Sequence, residues 1–331
     1  MTTYSESLFI LGAGFTKAAF PKAPLNSDLL DALLKNGCKM LAKYHNLYKT
    51  HDIEKLLTQV DLELNGDDEK KQNRASINKE ISSYFSSYRF STASIPSWIS
   101  PFALRVLKPN DSIICLNYDC FLEGALDYYE AWSPNGGYSR IENPNTISIR
   151  ENPKNIMIYK IHGSEHFVES SVVGKNRDQT AIGFSIDSSI YPKSGTYRNF
   201  GGGALNQHPY IIAPSFVKIA HVDIAAMMLD VLKIAEKAKN LLIIGCGMRP
   251  EDNFLWLVLT RFLNKKTARS RKRLIILSPS SEDIWERISN YWVGDIRSFT
   301  NAIMIPCGIE NGLETVIKAV GDECNQIQKK G

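Results

Sequence analysis

The last third of the chain constrains the fold most, because strand and helix alternate there without interruption. A helical stretch from about Val222 to Ala238 leads into an apolar run Leu241–Ile244. A helix near Asp252–Leu263, a run Leu274–Leu277, a helix near Ser281–Ile288, a run Ala302–Ile305 and a closing helix follow. Short apolar runs separated by amphipathic helices predict a parallel sheet wound on both faces. The N-terminus fits the same plan, since Leu8–Leu11 ends in Gly12-Ala13-Gly14 and a helix. The fold class expected is therefore α/β, a Rossmann-like doubly wound parallel sheet.

Between the first strand and the second, Ser112–Leu116, the pattern changes. Residues from about 26 to 108 are polar, with apolar residues at helical spacing: Leu29, Leu30, Leu33 and Leu34, then Ile53, Leu56, Leu57 and Val60, then Ile77 to Phe90. This predicts a helical insertion, its first helix capped by Asn26-Ser27-Asp28. Residues 131–155 read as loops with short strands, Ile156–Ile161 as a strand, 164–209 as irregular and Tyr210–Ala213 as a short strand. One domain over residues 1–331, carrying the insertion, accounts for the whole length.

In a doubly wound sheet, ligands bind beyond the carboxyl ends of the strands. Four such ends carry chemistry. Gly12-Ala13-Gly14-Phe15-Thr16 is a strand-to-helix turn where backbone amides can face a phosphate. Lys17 stands where a dehydrogenase fingerprint has its third glycine, and no acidic residue closes a second strand about 20 residues on, which argues against a nicotinamide dehydrogenase. Asn117-Tyr118-Asp119 offers an amide and a carboxylate, one of which a helix cap could explain. Lys160-Ile161-His162-Gly163-Ser164 places a histidine at a strand end, where it can move protons near neutral pH. Gly245-Cys246-Gly247-Met248 is a second glycine-rich exit, so two loops could cradle one dinucleotide from both sides.

Composition removes several other classes. A net charge of +4 does not indicate nucleic-acid binding. The basic run at 264–273 reads as a solvated loop. None of the six cysteines forms a CxxC pair, so no four-cysteine zinc site and no metal is expected. His166, His208 and His221 lack ligand spacing, and Trp285 and Trp292 read as packing residues. No secretion signal or membrane span is legible, so reduced thiols in the cytoplasm are expected.

The ordered series GAGFT, LNYD, KIHGS and GCGM resembles the sirtuin superfamily. It is most similar to the sirtuin-like proteins of bacterial phage-defence systems, to which Ile211–Lys218 and Pro250-Glu-Asp-Asn-Phe254 also correspond. The resemblance implies NAD as substrate. Gly12, Ala13, Gly14, Phe15 and Thr16 would line its phosphates, Asn117 would orient the nicotinamide ribose or a water, and Asp119 would read the carboxamide. His162 would be the general base, and Gly245, Gly247, Met248 and Ser278 would lie along the adenosine half. Protein deacylases of the superfamily carry a four-cysteine zinc module, a Gln before the catalytic Asn and a Pro-x-Phe-Arg segment. This chain has no such module, and it has Leu116 and Pro21-Lys-Ala-Pro24 in the other two places. The expectation is an NAD glycohydrolase, with a non-catalytic NAD- or ADP-ribose-binding subunit as the alternative and a deacylase as a weaker one. Because uncontrolled NAD loss harms its host, the resemblance also implies a homo-oligomer held in check by a partner such as a HerA-type ATPase or an Argonaute-like protein.

Overall fold

A computed structural model describes residues 6–64, 67–141, 151–171, 180–184, 187–194, 208–212, 214–215, 220–263, 272–292 and 300–321. Apolar runs become buried parallel strands. β1 (Ser7–Leu11), β2 (Ser112–Cys115), β3 (Met157–Tyr159), β7 (Asn240–Ile244), β8 (Lys272–Leu277) and β9 (Thr300–Ile305) form one six-stranded sheet in the order β3-β2-β1-β7-β8-β9. Every pairing in it is parallel. All residues of β1, β2 and β7 are buried, as expected of strands covered on both faces. Helices α1 (Ala13–Ala19), α7 (Phe121–Tyr128), α8 (Val222–Lys237), α9 (Asn253–Phe262), α10 (Ser281–Tyr291) and α11 (Ile309–Gly321) follow the strands and flank the sheet. The order reverses at β1 and β7, so the crevice opens above those two strands.

The insertion contains α2 (Leu29–Lys35), α3 (Lys39–Tyr48), α4 (Ile53–Leu62) and α5 (Asp68–Phe85), then a short turn α6 (Ile99–Pro101) that runs into a π-helical turn at Phe102–Val106. It has a core of its own, built on Leu30, Leu33, Leu41, Leu56, Leu57, Ile77 and Ile81. Tyr118 and Ile211, from the parts that carry the sheets, are buried in that same core. The expected cap at Asn26-Ser27-Asp28 is not what forms. Those residues make a 3-10 turn, and Asp28 gives α2 no side-chain cap. The side-chain caps lie further on, where Asp52 accepts from the amides of Glu54 and Lys55, and Asp67 from those of Glu69 and Lys70.

Residues 164–209, read as irregular, hold a second sheet instead. β4 (Gly163–Ser171) pairs antiparallel with β5 (Thr180–Phe184) and with β6 (His208–Ile211). β4 is polar along much of its length, with no apolar alternation to mark it, so pairing and the burial of Phe167 decide its conformation. The basic run also differs from a solvated loop at its end. Residues 264–271 lie outside the described ones, but Lys272 and Arg273 open β8 and use their cations internally. The Lys272 ammonium donates to the Glu236 carbonyl at 2.7 Å, and the Arg273 guanidinium to Asn240 Oδ1 at 2.8 Å and the Ala319 carbonyl at 2.7 Å. Trp285 and Trp292 pack against the main core as expected. Among the described residues, no helix is long and apolar enough to cross a membrane, and no group of three or more His, Cys, Asp or Glu could hold a metal ion.

Candidate active site

The strand ends meet at one cleft of about 1300 Å³, roomy enough for a dinucleotide. Its lining includes Gly12, Ala13, Gly14, Thr16, Asn117, Asp119, His162, Gly245, Gly247 and Ser278. Two residues expected at the ligand lie elsewhere. The Phe15 ring is buried against Trp98, Phe102 and Phe121. Met248 is also fully buried, in the main core, with φ of 47°.

The glycines of the two loops serve each other before any ligand. A Cβ on Gly12 would stand 2.7 Å from the Gly245 carbonyl oxygen and 2.8 Å from Cys246 Cα, and one on Gly14 would stand 2.8 Å from Gly245 Cα. Gly245 has φ of 59°, and its own Cβ would meet the Phe15 amide nitrogen at 2.5 Å. The Gly14 amide donates to the Gly245 carbonyl at 2.9 Å. Loop-on-loop packing therefore demands glycine here, and it brings both loops to the floor of the cleft. Gly247 differs, since a Cβ there would meet only Arg287 Nη1 at 3.8 Å and Arg249 Cγ at 3.9 Å, both ordinary contacts.

Asn117, Thr16 and Asp119 form one buried chain. The Asn117 amide nitrogen donates to the Gly12 carbonyl at 3.0 Å and to the Thr16 hydroxyl at 2.8 Å, and that hydroxyl donates to Asp119 Oδ2 at 2.8 Å. Asp119 Oδ1 accepts the amide of Phe121, the first residue of α7, at 3.1 Å, from the position before the N-cap Cys120. Burial pushes the Asp119 carboxyl up to about 6, against the opposing pull of Lys160 and of the Thr16 hydrogen bond. Between them, Tyr118 turns the other way. Its ring lies 5.2 Å from that of Phe85, and its hydroxyl donates to the Ile212 carbonyl at 2.8 Å.

His162 stands at the end of the β3 segment with its Nε2 4.0 Å from Asp252 Oδ1, and its own carbonyl accepts the Ile212 amide at 2.8 Å. Ser278 follows β8 and accepts the Ser280 amide at 3.2 Å. Sequence reasoning left several cleft residues without a role. Asp252 approaches His162, and Glu310 lines the rim after β9. Arg249, directly after the second glycine loop, forms a two-pronged ion pair with Glu54 of the insertion at 3.2 and 3.1 Å. Extending the strand-end rule by one residue past Met248 finds Arg249. Nothing local marks Glu54, which is one acidic residue among many in the insertion. Lys17, where a third glycine was missed, donates to the Ala23 carbonyl at 2.9 Å and ties α1 to the segment that lines the mouth.

Comparison with solved structures returns Sir2 homologues. One in complex with NAD is 12% identical and aligns over 96% of this chain and 91% of its own, with a TM-score of 0.45. One with ADP-ribose is 12% identical over 97% and 94%, with a TM-score of 0.46. One with 2'-O-acetyl ADP-ribose is 13% identical over 96% and 93%, with a TM-score of 0.44. No curated protein matches the sequence. The SIR2-like domain profile matches residues 111–293, more than half of the chain and the span that carries Asn117, His162 and the second glycine loop. With a six-stranded parallel sheet whose strand ends converge on one cleft, and a profile match of that extent, the chain belongs to the SIR2-like domain family.

Proposed function

We propose that the cleft binds NAD and hydrolyses the bond between nicotinamide and ribose, giving nicotinamide and ADP-ribose. The observation that carries this reading is the convergence of Asn117, Asp119 and His162 with two glycine loops on one cavity. The scissile bond already has a cationic leaving group. The C–N electron pair departs with nicotinamide, so no acid is needed, unlike hydrolysis of an ordinary glycoside with its pair of carboxylates. The anomeric carbon then carries oxocarbenium character and takes the oxygen of a water. What the protein must supply is orientation, exclusion of stray solvent and a base.

Each requirement has a candidate. The loops at Gly12–Gly14 and Gly245–Gly247 receive the pyrophosphate and the adenosine half, with Ser278 beyond them. Asn117, its amide plane held by Gly12 and Thr16, orients the ribose or the water. Asp119, once ionised, faces the cationic nicotinamide end. His162 takes the proton from the water, and Asp252 stabilises the imidazolium that results. General-base help of this kind is worth roughly 10²- to 10⁴-fold.

The test is nicotinamide release by the purified chain, beside His162→Ala and Asn117→Ala. Release by the wild type that vanishes in both folded variants is expected. Full activity in either variant overturns its assignment, and tight NAD binding without turnover under any condition supports a binding subunit instead. The motif resemblance extends the reading to an effector of anti-phage defence, assembled as a homo-oligomer and switched by a partner of the HerA-type ATPase or Argonaute-like kind. Hydrolysis at full rate by the isolated chain, unchanged by its genomic neighbour, overturns the partner.

A further inference from the structure

Two residues before His162, the Lys160 side chain is fully buried, ammonium included. It donates to the main-chain carbonyl of Asp119 at 2.6 Å and lies 3.0 Å from Glu123 Oε1. Glu123, on α7, is also fully buried, and neither of its carboxylate oxygens has a hydrogen bond among the described residues, so Lys160 compensates its charge without hydrogen-bond alignment. Removing two charges from water costs several kcal/mol per ion, and an apolar pair would fill the same volume without that cost. The pair therefore calls for an explanation beyond packing.

We propose that Lys160 and Glu123 are positioning residues for Asp119: the ammonium holds the Asn117–Asp119 loop through the Asp119 carbonyl, and the two charges together set the pH at which the Asp119 carboxyl ionises. The inference rests on the reading of Asp119 as a group that faces the nicotinamide end.

The groups around Asp119 can be taken element by element. From α1 comes the Thr16 hydroxyl, from β2 the Cys115 thiol, from α7 Glu123 with Cys120 at its start, and from the segment after β3 Lys160. Burial pushes the Cys115 thiol up to about 12 and the Cys120 thiol well up also, so both are neutral. Cys120 contacts His166 Nδ1 at 2.9 Å, and burial holds His166 well below the usual histidine range, so that cluster is uncharged as well. The Arg89–Glu165 pair lies beyond it and balances itself. Among the described residues, the charge acting on Asp119 thus comes from the Lys160 cation and the competing Glu123 anion. Lys160 favours the Asp119 carboxylate and Glu123 disfavours it.

The two partners make opposite predictions, which a merely structural role does not. In Lys160→Met the Asp119 midpoint moves up from about 6, by roughly 1–3 pH units for loss of an adjacent opposite charge. In Glu123→Gln it moves down. Lys160→Met leaves Glu123 buried without a counter-charge and can fail to fold, so Glu123→Gln and the charge-neutral double variant Lys160→Met/Glu123→Gln complete the set. The primary readout is direct titration of aspartate carboxyl carbons by 13C NMR of the full chain, with Asp119 assigned by the signal lost in Asp119→Asn. The second is the acid limb of nicotinamide release. Opposed midpoint shifts in the NMR titration support the pair as the setting device. An Asp119 midpoint unchanged in Glu123→Gln, or shifted in the same direction by both single variants, overturns it. Opposed NMR shifts with an unmoved acid limb leave the electrostatic device standing and overturn the substrate-facing role of Asp119, so the two ideas fail separately.

Discussion

Thr16 shows how a single side chain decides the state of this site. Its hydroxyl receives a bond from Asn117 and gives one to Asp119, at 2.8 Å each, and all three residues are buried. Thr16→Val keeps the shape and removes both bonds, leaving two buried groups short of a partner at about 1–3 kcal/mol each. The expected outcome is a lower midpoint in urea unfolding and a loss of nicotinamide release beyond 10-fold, whereas Thr16→Ser retains most of both. Equal activity in Val and Ser variants counts against the bridge. The residue could be picked out from the sequence as part of a strand-end loop, but its partners could not, because they lie 101 and 103 positions further on. Asp111 gives a second test at this scale. It accepts the amides of Lys108 at 2.8 Å and Ser7 at 3.3 Å, and burial pushes its carboxyl up to about 7. A raised carboxyl means that the folded state holds its proton more tightly than the unfolded one. The stability this adds is full below about 4 and is lost as pH rises through 7. Asp111→Asn should therefore gain stability relative to wild type across that window, at up to roughly 1.4 kcal/mol per pH unit. The lost acceptor is a constant offset, so the slope of the difference is the measurement, and a flat difference sinks the claim.

At the scale of elements, two contacts join parts that the chain keeps far apart. The first is the crossing of the glycine loops after β1 and β7. Gly12→Ala drives a methyl group into the Gly245 carbonyl and Cys246 Cα, backbone atoms that cannot swing aside. We expect a drop in melting temperature together with weaker NAD binding by calorimetry, because both loops must shift. Unchanged affinity in a folded Gly12→Ala would separate the crossing from the ligand. The second contact is the Arg249–Glu54 fork, which pins the insertion to the loop after β7. Removing Arg249 takes this two-pronged bond from Glu54, whose side chain is only 8% exposed, at a cost of about 1–3 kcal/mol given that Arg249 itself is 34% exposed. A double-mutant cycle over Arg249→Ala and Glu54→Gln measures the coupling, and a value near zero shows two independent rim charges. What the sequence disclosed at this scale follows from burial. Strands β1, β7 and β8 were legible because continuous apolar runs are buried on both faces. Helix α5 starts at Asp68, ahead of the Ile77 that the apolar spacing marks, because Asp68–Ser76 hold no apolar residue larger than Ala75 and the first buried one is Ile77. Helix α3 is legible by the same rule, since Met40, Leu41, Tyr44 and Tyr48 keep helical spacing and face the insertion core, whereas β4 is not, because its polar residues find their place only through β5 and β6.

For the molecule as a whole, the insertion is part of the site and not an appendage. Its core encloses Tyr118, the residue between Asn117 and Asp119, while its rim reaches Arg249. The sheet order adds a different consequence, which concerns synthesis. β1 is central, paired with β2 and with β7. Deleting residues 1–11 would part β3-β2 from β7-β8-β9, and we expect the truncated chain to lose cooperative thermal unfolding, as followed by near-ultraviolet circular dichroism. A sharp transition in that chain would show that the halves hold without the strand. In the living cell β1 is made before the strands that flank it, and its pairing with β7 spans 233 residues. At the ordinary pace of translation the nascent strand waits roughly 10–50 s for that partner. During that interval Leu8, Phe9, Ile10 and Leu11, each fully buried in the finished protein, have neither neighbour until β2 is made at Ser112–Cys115, and only one of the two from then on. A ribosome that stalls before residue 240 therefore holds an adhesive, half-built sheet, and chaperone supply during translation should limit yield more than the stability of the completed fold.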